Sequence, residues 1–308
     1  MPADAVPQRW CLALLVLALP PATAHLMHSL RRRWGSSSQV DVLVKLGGSA
    51  ITDKSSFETL HAANLRDCCE SVARSSKRVV VCHGAGSFGH FQAREHAVSK
   101  GTGDPKFSWR GFGLTRSSVC KLNGLVVDGL LAAGVAAVGV SPCDAFGATR
   151  GRGVVPRAAR RRGVARVREL LGTGCVPVLH GDACLDEVQG ASILSGDTLM
   201  TLLAEDLRPK LVVFITDVPG VFDRPPDEPG ATLVPRISVG AGRGPKIATS
   251  TALHDVTGGV AAKLESAIAI ARAGTPVVVV EAGTAHARAA LRGEVPDVCT
   301  LVERASSS

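Results

Sequence analysis

Val81-Cys82-His83-Gly84-Ala85-Gly86-Ser87-Phe88-Gly89-His90 runs from a β-branched segment straight into three glycines spaced around a serine and a histidine. The stretch has the form of a strand that ends in an anion-binding turn. Glycines let backbone N–H groups turn toward a phosphate and admit it closely, with no Cβ in the way, and His90 adds a side chain able to donate to a phosphate oxygen. Taken alone, the same residues read equally well as an ordinary tight strand-to-helix turn. Repetition of the pattern along the chain decides between the two.

Upstream, Val40–Leu46 is a short β-rich run that meets Gly47-Gly48-Ser49, a second strand-to-glycine turn that now carries Lys45. Ile51-Thr52-Asp53-Lys54 follows, and the spacing of Leu60, Leu65, Cys68, Cys69 and Val72 predicts a helix over 57–75. Arg78–Cys82 is the next strand, and strand, turn, helix, strand is the grammar of a parallel sheet. Downstream, helices are expected over 91–100, 114–133 and 164–171, with a loop over 101–109 and strands over 136–140 and 175–179. The last of these strands ends in His180-Gly181-Asp182. Ser195-Gly196-Asp197 opens a helix through Leu207 with Ser or Asp placed to cap its first turn. Lys210–Ile215 is a buried strand ending at Thr216-Asp217-Val218-Pro219-Gly220-Val221. After loops at 225–230 and 240–245, Thr257-Gly258-Gly259 precedes a helix over 260–273 that bears Lys263, and 276–280 is a last interior strand. Polar residues gather at the carboxyl ends of strands, which is where ligands sit in α/β proteins.

Composition narrows the function classes. A chain of 308 residues, 45% hydrophobic and 20% charged, buries a full core. Nine cysteines without a CxxC pair have no metal-type spacing and suit buried thiols in a reducing compartment. The net charge of +8 is local, because eight arginines and no acid lie between Thr149 and Arg168, and residues 1–38 are basic as well. Without these two segments the chain is net negative. The arginine-rich segment has no interleaved aromatic residue and the chain has no tyrosine, so a solvated loop and helix face is favoured over a nucleic-acid site. Residues 1–38, with Arg9, the apolar run Cys11–Leu19, Ala22-Thr23-Ala24 and Arg31–Arg33, read as a leader into an organelle such as a plastid, or as an extension on a cytoplasmic protein. The apolar run is short for a membrane span.

The four sites occur in the order Lys45-Leu46-Gly47-Gly48-Ser49, Gly84–His90, Thr216–Val221, and Thr257-Gly258-Gly259 with Lys263. From about residue 40 to 303 this order resembles the amino acid kinase superfamily. Ile51-Thr52-Asp53-Lys54 combined with Gly86-Ser87-Phe88-Gly89-His90 is similar to the isopentenyl phosphate kinases within it. The resemblance implies a three-layer αβα open sandwich with a mainly parallel central sheet, an amino-terminal acceptor lobe over about 39–205, a carboxyl-terminal nucleotide lobe over about 206–308, and a homodimer. It further implies ATP and Mg²⁺ as cofactors and an isoprenoid monophosphate as acceptor, in isoprenoid precursor synthesis. Carried over by motif, Lys45, Gly47, Gly48 and Ser49 meet the transferred phosphoryl group and Lys54 stabilises charge in the transition state. Ala85, Gly86 and His90 hold the acceptor phosphate with Gly196 and Asp197 nearby, and Asp217, Gly258, Gly259 and Lys263 form the nucleotide site. Val260, where the family commonly has methionine, and the arginine-rich insert depart from the pattern.

Such transfer is mostly positioning and electrostatic stabilisation, so three lysines, backbone amides and Mg²⁺ suffice. A phosphomonoester acceptor with a second pKa of about 6 is already largely dianionic at neutral pH, so His90 reads as a clamp and needs no role as base. His83 and His180 read as hydrogen-bonded structural residues, and Asp182 as a group that orients a lysine or the metal. The rivals are a superfamily kinase acting on a carboxylate or a nucleoside monophosphate, and a non-catalytic nucleotide-binding regulator. The Gly86–His90 ending argues against the first, and retention of all three lysines against the second. A dinucleotide oxidoreductase would need G-x-G-x-x-G after the first strand, which Gly47-Gly48-Ser49 does not supply.

Overall fold

The computed structural model describes residues 39–240 and 259–305, with backbone alone for 259–262. Strands β1 (Val42–Leu46), β2 (Val79–His83) and β7 (Leu211–Thr216) are buried along their whole length, the continuous apolar runs that a sheet covered on both faces requires. With β3 (Ala137–Val140), β4 (Val176–His180), β8 (Arg236–Val239), β9 (Val277–Glu281) and β10 (Thr300–Arg304) they form one sheet in the order β3-β4-β2-β1-β7-β9-β10-β8. All neighbours are parallel except β9 and β10, so β10 and β8 run against the other six strands. The mainly parallel sheet expected from the strand and helix alternation is therefore present.

Alternation along the central strands builds the two cores. Val42, Val44 and Leu46 face one side of the sheet with Val213 and Ile215, where α2 (Ala62–Arg74), α4 (Trp109–Ala132) and α9 (Ala285–Leu291) cover them. Leu43 faces the other side with Val212 and Phe214, beneath α6 (Arg157–Gly172), α7 (Gly196–Leu207) and α8 (Gly259–Arg272). Each fully buried aliphatic side chain here contributes roughly 1.5–3 kcal/mol of transfer free energy. The period of two also decides where Lys45 goes: it shares the face of Leu43 and points toward α7. Three short elements complete the first half, α1 (Gly48–Ile51), α3 (Gly86–Glu95) and α5 (Pro142–Phe146).

Several stretches differ from the sequence expectation. Helix α3 starts at Gly86, not at residue 91, so the glycine turn is already the helix's first turn. Low glycine propensity hid this, and tertiary packing overrides it, since Gly86, Ser87, Phe88 and Gly89 are all buried. Beyond Glu95, residues 98–103 form a 3₁₀ segment where the helix was expected to continue. The arginine-rich stretch is helical from Arg157, because its charges find partners on α7: Arg160 pairs with Glu205 and Asp206, and Arg168 donates to the carbonyl of Asp206. A hairpin of β5 (Asp182–Asp186) and β6 (Gly190–Leu194), along with β8, α9 and β10, had no counterpart in the sequence reading. Residues 1–38, the loop beyond 240, Thr257 and Gly258 lie outside the described residues.

Candidate active site

The sheet's middle positions the site. Past β1, the Gly47 N–H donates to the Ile215 carbonyl at 2.9 Å, and past β2, the Gly84 N–H donates to the Leu46 carbonyl at 2.9 Å. Past β4, the Gly181 N–H donates to the His83 carbonyl at 3.0 Å. The ladder thus continues one residue beyond each strand and delivers three turns side by side. The first two touch backbone to backbone: a Cβ on Gly48 would lie 2.6 Å from the Gly86 nitrogen, and one on Gly84 would lie 2.8 Å from the Gly48 nitrogen. Glycine is required there by space, and at Gly86 also by a φ of +51°. The amino ends of α3 and α7 open at this junction, with the Ser195 hydroxyl capping α7 by accepting from Thr198 N–H at 3.0 Å. Helix amino ends and free backbone N–H groups favour an anion.

Among the described residues Lys45, Lys54, Lys263, Asp197 and Asp217 gather at the junction. Lys45, buried at the end of β1, forms an ion pair with Asp197 in the first turn of α7 and stands 5.5 Å above the Phe214 ring centroid. Lys54 pairs with Asp217 at 3.2 Å, and the Ser49 hydroxyl donates to the other Asp217 oxygen at 2.9 Å. Burial pushes the Asp217 carboxyl up, but the Ser49 bond and the Lys54 charge outweigh it and hold the pKa below the ordinary carboxylate value. Lys263 of α8 faces the same space, and loss of solvent, then the nearby Lys45 charge, lower its pKa. His90, open to the cleft, is lowered in the same direction by partial desolvation and then by Lys54, so its imidazole is biased toward the neutral form.

The structure brings nearly all the expected residues to one cavity of about 290 Å³. Lys45, Gly48, Ser49 and Lys54 line one wall, Ala85, Gly86 and His90 a second, and Gly196, Asp197 and Lys263 a third. Gly47 backs the first wall, and its own Cβ would lie 2.6 Å from the Ile215 carbonyl oxygen. Asp217 borders a smaller pocket that it shares with Lys263, Gly220 and Val221. Gly259 starts α8, and Gly258 lies outside the described residues.

The far end of the cavity is apolar, as an acceptor with a hydrocarbon tail requires, but the residues that line it had not been singled out in the sequence. Ala93 of α3, Thr115 and Val119 of α4, and Ala183 and Ile193 of the hairpin form it. Thr115, Val119 and Leu122 already showed helical spacing in the sequence, whereas the hairpin's only signal was the turn at Glu187–Gly190. Asp182, expected to orient a lysine or metal, instead accepts from the Ser141 hydroxyl at 3.1 Å and the Cys143 N–H at 3.2 Å, and sits 3.5 Å from the Arg116 guanidinium. Asp182 still lines the cavity, but its carboxylate is taken up by these three partners. His83 and His180 are buried and stacked at 5.5 Å, and His83 Nδ1 donates to the Gly84 carbonyl at 2.9 Å while Nε2 accepts from Asn123 at 3.1 Å. Burial, then the His180 charge, pushes the His83 pKa down to about 3.

The donor set bears on a metal too. Among the described residues no cluster of three His, Cys, Asp or Glu side chains could hold one. Among the described residues the cleft carboxylates Asp182, Asp197 and Asp217 are each in an ion pair, so a divalent ion carried by a nucleotide's phosphates fits this lining better than one held by protein ligands alone. Among the described residues no helix is long and apolar enough to cross a membrane.

Residues 42–281 match the amino acid kinase family. An isopentenyl phosphate kinase of Arabidopsis thaliana is 36% identical over 313 residues, covering 85% of this chain and 93% of that protein. One of Haloferax volcanii is 38% identical over 231 residues, covering 74% and 88%. Among solved structures, an isopentenyl phosphate kinase superposes with a TM-score of 0.70 at 30% identity, covering 84% of this chain and 99% of that one.

Proposed function

Because the chain belongs to the amino acid kinase family, and within it to the isopentenyl phosphate kinases, we propose that it transfers the γ-phosphoryl group of ATP to isopentenyl phosphate, giving isopentenyl diphosphate and ADP. The observation that carries this reading is the two-ended cavity, with cations and helix amino ends at one end and Ala93, Val119, Ala183 and Ile193 lining the other beside Thr115, where the Asp182 carboxylate is already paired with Arg116. A phosphate with a short hydrocarbon tail matches both ends. Glutamate would bring a second charged end to the apolar wall without a partner, at a cost of several kcal/mol.

In this reading His90, Ala85 and Gly86 hold the acceptor phosphate, with Gly196 and Asp197 alongside, and the half of the chain up to about residue 205 is the acceptor lobe. The remainder binds the nucleotide, with Asp217, Gly258, Gly259 and Lys263 around its phosphates and Gly47, Gly48 and Ser49 beneath the γ-phosphoryl group. Lys45 and Lys54 flank the group in flight, where its equatorial oxygens need fixed positive charge. Asp197 aims Lys45 through their ion pair, and no base is needed because the acceptor oxygen is already ionised. Mg²⁺, bound through the ATP phosphates, would supply further charge neutralisation. Steady-state kinetics with ATP·Mg²⁺ and a panel of isopentenyl phosphate, glutamate and nucleoside monophosphates tests the reading. Preference for isopentenyl phosphate by kcat/KM is expected, and preference for either other class would overturn it.

A further inference from the structure

Among the described residues Lys54 is the one cleft lysine that lies outside a strand or helix, and how the chain holds it is visible in the loop that carries it. Asp53 N–H donates to the Thr59 carbonyl at 2.9 Å and His61 N–H to the Ile51 carbonyl at 2.8 Å, so residues 53–60 are a closed loop with Lys54 on one limb. Its base is stitched to the amino end of α3, where Thr59 N–H donates to the Ser87 hydroxyl at 3.3 Å and Ser87 N–H donates to the Thr52 hydroxyl at 3.0 Å. Phe57 packs edge-on against Phe91, one residue from His90, at 5.9 Å between centroids.

Glu58 is where this loop is strained. It is a non-glycine residue at a φ of +49°, a conformation that L side chains avoid and that persists only where its surroundings over-determine it. Its side chain supplies that determination. The carboxylate accepts from the Ser118 hydroxyl at 2.8 Å and forms an ion pair with Lys121, both on α4. Ser118 is buried and adjoins Val119, which lines the apolar end of the cavity. Burial opposes ionisation of Glu58, yet the bonds from Lys121 and Ser118 hold its pKa below the ordinary value.

We propose that Glu58 is a positioning residue: its carboxylate straps the Lys54 loop to α4, the helix that walls the acceptor tail, and so fixes Lys54 at the cleft mouth beside the reacting phosphates. The inference rests on the kinase reading above, in which Lys54 meets the transferred group. It adds that the tail-binding helix and the charge-stabilising lysine are held in one register through a single carboxylate.

The test uses the full chain with three variants. Glu58→Asn suits the left-handed backbone but is too short to reach α4, Glu58→Gln keeps the Ser118 bond without the charge, and Lys121→Met removes the partner. Glu58→Asn is expected to lower kcat roughly tenfold with KM values within about twofold, Glu58→Gln to lower it less, and Lys121→Met to match Glu58→Gln. The decisive comparison is the same Asn substitution on a Lys54→Ala background, where its effect should shrink to under about twofold because the residue acts through Lys54. Amide hydrogen exchange over 53–60 should quicken in Glu58→Asn while the exchange of β1 and β2 does not. An unchanged kcat, an equal loss on the Lys54→Ala background, or unaltered exchange would overturn the proposal. Quickened exchange in Glu58→Asn alongside wild-type protein that transfers no phosphoryl group to isopentenyl phosphate would instead overturn the kinase reading and leave the strap standing. Lys121→Met also keeps the test available if substitution at position 58 prevents folding.

Discussion

Lys45 and Lys54 face one cleft from two kinds of structure. Lys45 ends a central strand whose neighbours on both sides fix its register, its side chain is 4% exposed, and it meets Asp197 across the sheet's mouth. Lys54 sits on a loop, is 65% exposed, and meets Asp217 in solvent. A buried pair whose partner sits at a helix amino end is part of the fold's own stability, whereas an exposed pair contributes little and can be spared for chemistry. The strand-borne lysine is therefore committed before substrate arrives, and the loop-borne one is held in part by Glu58 and Lys121, which can be altered without touching the hydrophobic core.

Substitutions at the two lysines test that difference first. Lys45→Met leaves Asp197 without its counter-charge and should cost about 3 kcal/mol of stability together with detectable transfer, measured by chemical denaturation and ADP release. Lys54→Ala should lower kcat by roughly a hundredfold or more while shifting stability by no more than about 0.5 kcal/mol. Equal stability losses from both would erase the contrast. At the acceptor end, His90→Ala should lose about 1.5–3 kcal/mol in kcat/KM, and His90→Gln, which keeps a neutral N–H donor, should lose clearly less. Equal losses, with a titration missing from the Gln variant's pH–rate profile, would make His90 a base.

The smallest effect at neutral pH concerns the buried histidines behind the turns. His83, with a folded pKa of about 3 against an unfolded value near 6.5, binds its proton only in the unfolded chain over that window. Stability should then fall as pH drops below about 6.5, by up to about 1.4 kcal/mol per pH unit, and be unaffected above it. In His83→Gln the slope should be shallower, as denaturation midpoints between pH 4 and 7 would show.

The same contrast explains what could be read from the sequence. Lys45, Gly47, Gly48, Gly84, Gly86 and Asp217 follow β-branched runs whose burial on both faces leaves one register, so local pattern places them together. Asp197 follows from the Ser195 cap. Glu58 and the hairpin walls carried no such signal, because the loop's shape depends on Ser87 and Ser118 from other parts of the chain and the 182–194 stretch lacks a strong alternation. The arginine-rich stretch misled in the opposite direction, since its charge repels itself as an isolated helix and is offset in the fold by Glu205 and Asp206 of α7, which pair with Arg160, and by Glu169 and Glu187, which pair with Arg166 and Arg150.

Phosphorus-31 NMR of the full chain with ATP, Mg²⁺ and isopentenyl phosphate tests the central claim most directly. The account predicts loss of the acceptor's monophosphate resonance as a diphosphate pair and ADP appear together in equal amounts. ADP forming with inorganic phosphate while the acceptor resonance stays unchanged would contradict it.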